Sequence, residues 1–150
     1  MKRLPLLFLL LCLVISSCKK EEAAPLTINQ QLKGKWLHFA LTYNLYDESN
    51  QLLHSEKSEH KTEFGFDEYG NTTMTDAWGT VRKDAYTLTE SGDKNFIKLL
   101  TIGPHPPFEI KTISKSDMVW AVEVPNASYF SSSGWTTAHH GIITYEFKKR

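Results

Sequence analysis

The chain is poor in cysteine, with two among 150 residues, Cys12 and Cys18. No framework of bridges is on offer, so the fold has to rest on its core. An excess of charge of either sign is also missing, with 17 basic against 17 acidic side chains. That balance excludes the basic footprint of a nucleic-acid binder. No apolar run exceeds twelve residues, Leu4 to Ile15 with Pro5 inside it, which is short of the roughly 20 that span a bilayer. There is no HExxH and no CxxC, and the eight glycines serve turns rather than a phosphate loop. His139 and His140 are adjacent, so in an extended strand they point to opposite faces and do not share an ion. Ser131 to Ser133 lie near His139, but no strand-turn-helix elbow or orienting acid accompanies them. No metal, no cofactor and no enzymatic activity is expected.

What is present begins with an address. Met1-Lys2-Arg3 is a short positive segment, and the apolar run that follows has the length of a signal-peptide core. The run ends in Ile15-Ser16-Ser17-Cys18, which resembles the lipobox of bacterial lipoproteins: an aliphatic residue, two small ones and a cysteine. The resemblance implies that Cys18 becomes diacylated and, after cleavage, the new N-terminus; an ordinary secretory signal with a chance cysteine is the alternative. Cleavage there would remove Cys12, Lys2 and Arg3, leaving one cysteine and a formal charge of −2. Lys19-Lys20-Glu21-Glu22 is similar to the lysine-plus-acidic stretch that marks surface-displayed lipoproteins in some Gram-negative lineages. The expected location is the outer membrane, on the cell surface or the periplasmic face. Residues 1–17 read as signal peptide, 18–31 as a lipid-anchored linker ending in a short helix, and 32–150 as the folded domain.

From Leu32 onward no stretch keeps a 3.6-residue period, whereas period-two segments rich in aromatic and β-branched residues recur. They predict eight strands: 35–46, 59–67, 72–76, 85–89, 95–102, 108–113, 118–124 and 142–149. The alternation is clearest in Met118, Trp120, Val122 and Val124 and in Ile143, Tyr145 and Phe147. Links 2–3, 4–5 and 6–7 are four-residue polar turns, while links 1–2, 3–4, 5–6 and 7–8 are expected to be longer, about 12, 8, 5 and 17 residues. In a meander this puts all tight turns at one end and all long loops at the other, where binding residues concentrate. Eight antiparallel strands close most economically into a barrel, and a two-sheet sandwich is the alternative. In strand 1, an inward Trp36 turns Leu37, Phe39 and Leu41 outward under strict alternation, so a bulge partway along is expected.

Leu32-Lys33-Gly34-Lys35-Trp36 resembles the Gly-x-Trp opening of lipocalins and of small lipocalin-like domains in bacterial lipoproteins. The Phe64-x-Phe66-x-x-x-Gly70-Asn71-Thr72 hairpin, the passage 108–119 and the Tyr145-x-Phe147-Lys148-Lys149 finish fit the same pattern. The resemblance implies an all-β, eight-stranded up-and-down barrel sealed at one end. Trp36 is then structural, covered by a basic side chain from Lys148 to Arg150, with Arg150 as the candidate partner. It also implies a small apolar or amphipathic ligand near the open end, although fold does not fix function. Candidate ligand-binding residues are Trp78 in link 3–4, Tyr129, Phe130 and Trp135 in link 7–8, and Tyr86 and Trp120 in the upper barrel. A surface module that contacts another envelope protein through its loops or its strand-1 face is the competing expectation.

Overall fold

A computed structural model describes residues 26–101 and 106–150. The expected signal peptide, the acylation candidate Cys18, Lys19 to Glu22 and His105 lie outside the described residues. The described chain forms a short helix α1 (Ile28–Leu32) and strands β1 (Gly34–Tyr46), β2 (Leu52–Phe66), β3 (Asn71–Thr75), β4 (Val81–Ser91) and β5 (Lys94–Leu99). Then follow β6 (Phe108–Ile113), β7 (Asp117–Pro125), β8 (Ser128–Ser131), β9 (Gly134–Thr137) and β10 (His140–Lys149). Eight of the ten strands close a barrel in the order β1-β10-β7-β6-β5-β4-β3-β2, while β8 and β9 form a separate two-stranded ribbon. Each barrel strand pairs antiparallel with its sequence neighbour, and β10 returns to pair with β1. This is the up-and-down architecture, in which closure leaves the ring of strands without a terminal edge.

The strand boundaries correct the sequence reading in particular places. β2 begins at Leu52 rather than Glu59, so link 1–2 is a tight turn and not a long loop. β4 begins at Val81 rather than Ala85, and the long 7–8 link contains the β8–β9 hairpin. The extensions share a cause. Turns at Asp47, Asp67 and Asp76 are built alike: the aspartate Oδ1 accepts backbone N–H groups two and four residues on, at 2.8–3.0 Å. The fourth residue of each turn has positive φ: Asn50 (61°), Gly70 (86°) and Gly79 (84°). The side chain does the work of a backbone turn, so polar strands can begin directly after it.

The closed end is a plug. Thr27 and Gln30 form a capping box on α1, whose Leu32 is fully buried. The Trp36 indole N–H donates to the Leu32 carbonyl at 2.6 Å. Lys149 Nζ stands 4.8 Å from the centre of the Trp36 ring and donates to the Gln31 carbonyl at 2.9 Å, a cation–π contact of the kind worth about 0.5–2 kcal/mol. The covering cation is therefore Lys149, not Arg150; what Arg150 contributes is its backbone N–H, bonded to the Lys35 carbonyl. The expected boundary between linker and domain at 31/32 falls inside α1, because this single turn is held by the barrel floor. The Tyr86 hydroxyl completes that floor, donating to the Asp67 carbonyl at 2.6 Å with Asn29 Oδ1 at 3.0 Å.

The expected bulge lies at Phe39. Between His38 and Ala40 the register slips against both β10 and β2. Below the slip, Trp36 and His38 face inward; above it Leu41, Tyr43 and Leu45 do, opposite Tyr145, Ile143 and Gly141. The apolar residues of β1 thereby reach the interior on both sides of the kink. The core they join centres on Trp120, whose ring centre lies 4.6 Å from Phe147, 5.8 Å from Phe66 and Phe108, and 6.1 Å from Phe64.

Candidate functional site

Strand lengths decide where the interior is open. β1, β2, β7 and β10 have 13, 15, 9 and 10 residues, whereas β3, β5 and β6 have 5, 6 and 6. At about 3.3 Å per residue, one wall stands much taller than the other. Beneath it a cavity of about 640 Å³ opens at the end opposite α1. Its depth is apolar, with Trp120, Phe64, Phe108, Leu99, Met74 and Tyr145, and its rim polar, with Thr62, Thr80, Thr101, Asp76, Arg82 and Lys83.

Each rim group is placed by strand parity and turn chemistry. Arg82 sits across from Met74 and Asp84 across from Thr72, on the face that also carries the buried Tyr86. The buried Asp84 accepts the Ala85 N–H at 2.7 Å and the Thr101 N–H at 3.0 Å, tying the start of link 5–6 to β4 where ladder pairing has stopped. Asp76 is occupied by its turn. The Thr80 N–H chiefly, with the Trp78 N–H and Arg82, holds its carboxyl below the usual carboxylate range. At the bottom, the Trp120 indole N–H is buried without a hydrogen-bond partner, the kind of donor that a bound acceptor or ordered water satisfies.

One polar group stands behind the apolar wall. His38 is buried, stacked on His60 at 4.7 Å and packed 5.3 Å from Tyr145 and 6.4 Å from Phe64. Its Nε2 lies 3.0 Å from the Ala40 carbonyl, which can only accept, so Nε2 carries the proton. Burial, with His60 adding to it, pushes the His38 pKa down to about 4. Burial likewise holds the Tyr145 phenol above its ordinary value.

The sequence candidates divide into three groups. Trp120 forms the cavity floor, and Trp78, 90% exposed, stands at its mouth. Tyr86 belongs to the sealed end, its hydroxyl already engaged with Asp67 and Asn29. Tyr129, Phe130 and Trp135 are on the β8–β9 hairpin and line a second pocket of about 360 Å³, against Tyr43, Leu45, His54, Glu56, Val124 and Ile143. There His54 stacks on Tyr129 at 5.0 Å. The Ser131 hydroxyl is engaged inside the hairpin, with Thr136 Oγ1 at 3.0 Å and the Gly134 carbonyl at 3.0 Å. Among the described residues no three His, Cys, Asp or Glu side chains come together as metal ligands, and no helix is long and apolar enough to cross a membrane.

The sequence reading missed Arg82, Thr101 and Asp84. The alternation Arg82, Asp84, Tyr86, Leu88 was available as a signal, had β4 been started at the Asp76 turn. Thr101 carried none, since what recruits it is a backbone N–H.

No protein-family model matches the chain, and no curated protein matches it. Among solved structures the chain is similar to a lipocalin-like protein from Bacteroides uniformis, at 17% identity and a TM-score of 0.41, over 80% of this chain and 99% of that one.

Proposed function

We propose that this protein is a membrane-anchored lipoprotein whose barrel binds one small apolar or amphipathic molecule in the main cavity. The observation that carries the reading is the cavity itself: about 640 Å³, with an aromatic floor and a polar rim, inside the 300–1,000 Å³ range of small-molecule sites. Trp120, Phe64 and Phe108 provide the apolar contact, while Arg82, Thr62 and Thr101 meet the ligand's polar end. Trp78 closes over the mouth. Acylation of Cys18 holds the domain on the outer membrane, on the cell surface or its periplasmic face.

Two measurements test the two halves of this reading. Native mass spectrometry of the protein purified from its host, with Trp fluorescence against lipids, haems and sugars, should find one ligand per chain and a change in emission from Trp120 or Trp78. A protein that carries nothing and responds to none of them overturns the binding role. Cys18→Ala should release the protein from membranes; a variant that still pellets with the envelope after a high-salt wash overturns the anchoring.

A second reading is supported by Phe130 and Trp135, 67% and 78% exposed on the hairpin. Aromatic side chains raised on a ribbon suit contact with another envelope protein. Capture of one such protein, lost in Phe130→Ser/Trp135→Ser while cavity binding persists, would favour it.

A further inference from the structure

The ring of strands is closed low down but not along its whole height. β2 pairs with β1 from Leu52 to Phe66, yet with β3 only from Glu63 to Phe66. The ribbon β8–β9 pairs only with itself. Residues 52–62 of β2 therefore turn one backbone edge to no strand among the described residues, and alternate N–H and C=O groups along it lack ladder partners there.

Natural edges are blunted by proline, by shortness, by bulges or by charged side chains. Leu52-Leu53-His54-Ser55-Glu56-Lys57-Ser58-Glu59-His60-Lys61-Thr62 has no proline and is not short, and its charges are of both signs, so that a partner of matching pattern can neutralise them. Its charges alternate in sign, and its faces are regular through the β1 kink. His54, Glu56, His60 and Thr62 look inward, onto the second pocket, His38 and the main cavity. Lys57 looks outward, bonded to Glu146 at 2.6 Å, so Glu59 and Lys61 share the outer face with it. Glu59 and Lys61 form no ion pair among the described residues.

We propose that this edge pairs antiparallel with the same edge of a second copy of the chain, about a twofold axis at Ser58. Opposed residues in such a pairing lie on one face, so the axis passes through a residue and each register can be weighed. An axis at Ser58 sets Lys57 opposite Glu59, and Glu56 opposite His60, each twice. An axis at Glu59 would set Lys57 against Lys61 and Glu59 against itself, and an axis at Lys57 would oppose two lysines. An axis at His60 sets Lys57 beside Glu63, where Thr75 of β3 already sits, and leaves only 58–62 to pair, whereas the axis at Ser58 meets β3 only from Leu53 outward and leaves 54–62. Like charges directly opposed destabilise and unlike charges stabilise, so among these four registers charge favours Ser58, and the match of the edge to itself points to a second copy. In that register the exposed Leu52 and Leu53 run on toward the exposed Trp78 beyond β3 of the other copy. The interface is at the small end of specific ones, and a micromolar dissociation constant is expected.

Sedimentation velocity of the full-length chain in mild detergent, over about two decades of concentration, reads this directly. The unsubstituted protein should dimerise reversibly, Glu59→Lys should weaken the dimer about tenfold or more, and Lys57→Glu/Glu59→Lys should restore it. Ser58→Cys should cross-link between copies on mild oxidation, because facing Cα atoms at such an axis are about 4.5–5.5 Å apart, within the span of a disulfide; the unsubstituted chain controls for Cys12 and Cys18. A protein monomeric throughout overturns the proposal, as does a dimer indifferent to Glu59→Lys or not rescued by the double exchange. A monomer that instead adds an extended peptide of alternating charge along β2 assigns the edge to a peptide and overturns the second-copy reading.

Discussion

Acidification should weaken this barrel through His38 before it reaches the carboxylates. The ring lies behind the cavity wall, sandwiched among His60, Tyr145 and Phe147, with Nε2–H spent on the Ala40 carbonyl. Protonating it would place a cation among aromatic side chains, and its pKa falls from 6.5 to about 4. At pH 7.5 the imidazole is neutral in the folded and unfolded states, so it contributes no pH dependence there. Between pH 6.5 and 4 the unfolded chain binds a proton that the native state refuses, and stability drops as pH falls through that window. A shift of this size amounts to about 2 kcal/mol lost by pH 4.5, a sizeable part of a domain's total of roughly 5–15 kcal/mol. Asp67, Asp76 and Asp117, held below their ordinary values by hydrogen bonds, lose their share only at lower pH. Urea unfolding at pH 7.5 and 4.5 should give this difference for the unsubstituted chain. His38→Phe should be weaker at pH 7.5, since the Ala40 carbonyl loses its donor, but should lose clearly less between the two pH values. Equal losses in both proteins, or an NMR titration of His38 with its midpoint above pH 6, would refute the reasoning.

Other perturbations separate the floor from the cavity. Trp36→Phe removes the donor to the Leu32 carbonyl and the ring under Lys149, and should cost about 2–3 kcal/mol by thermal or urea unfolding. Gly70→Ala sets a Cβ 3.2 Å from the Tyr86 carbonyl at φ +86°, whereas Gly79→Ala at φ +84° meets nothing within 4 Å. Both incur the cost of a left-handed alanine, about 1 kcal/mol, and Gly70→Ala should be the more destabilising of the two. Met74→Trp fills the cavity from its side wall and should abolish ligand retention in native mass spectra while leaving the urea midpoint nearly unchanged.

How far the fold could be read from the sequence follows from how each strand is buried. β6 and β7 are legible because one face meets the core, through Phe108, Ile110, Met118, Trp120 and Val122, and 108–113 and 118–124 come out within a residue of the observed bounds. The upper half of β2, Leu52 to Thr62, is exposed along most of its length; a strand with little to bury leaves little hydrophobic signature. It was nevertheless marked, since Asp47 with Asn50 repeats the spacing of Asp67 with Gly70 and Asp76 with Gly79, and the repeat is a turn signal independent of burial. The hairpin β8–β9 hid for a different reason. Its aromatic residues face a local pocket instead of the barrel core, so they read as loop residues free to join Trp78 and Trp120. Residue type found the aromatic groups, but only strand length could show that they serve two places.

Unequal strand length is one cause with two effects, the open cavity and the free edge. Short β3, β5 and β6 leave the tall wall of β2, β1, β10 and β7 uncovered above them. The inner face of that wall becomes the side of a site and its margin becomes an unpaired strand. The two effects are separable because parity assigns them different side chains. Thr62 and Phe64 point into the cavity, while Glu59 shares the outer face with Lys57. Glu59→Lys should therefore weaken self-association without changing which molecule the cavity retains, and Met74→Trp should abolish retention without changing self-association. If instead either substitution moved both properties together, the two copies would have to complete one site, with Leu52 and Leu53 of one closing over Trp78 of the other.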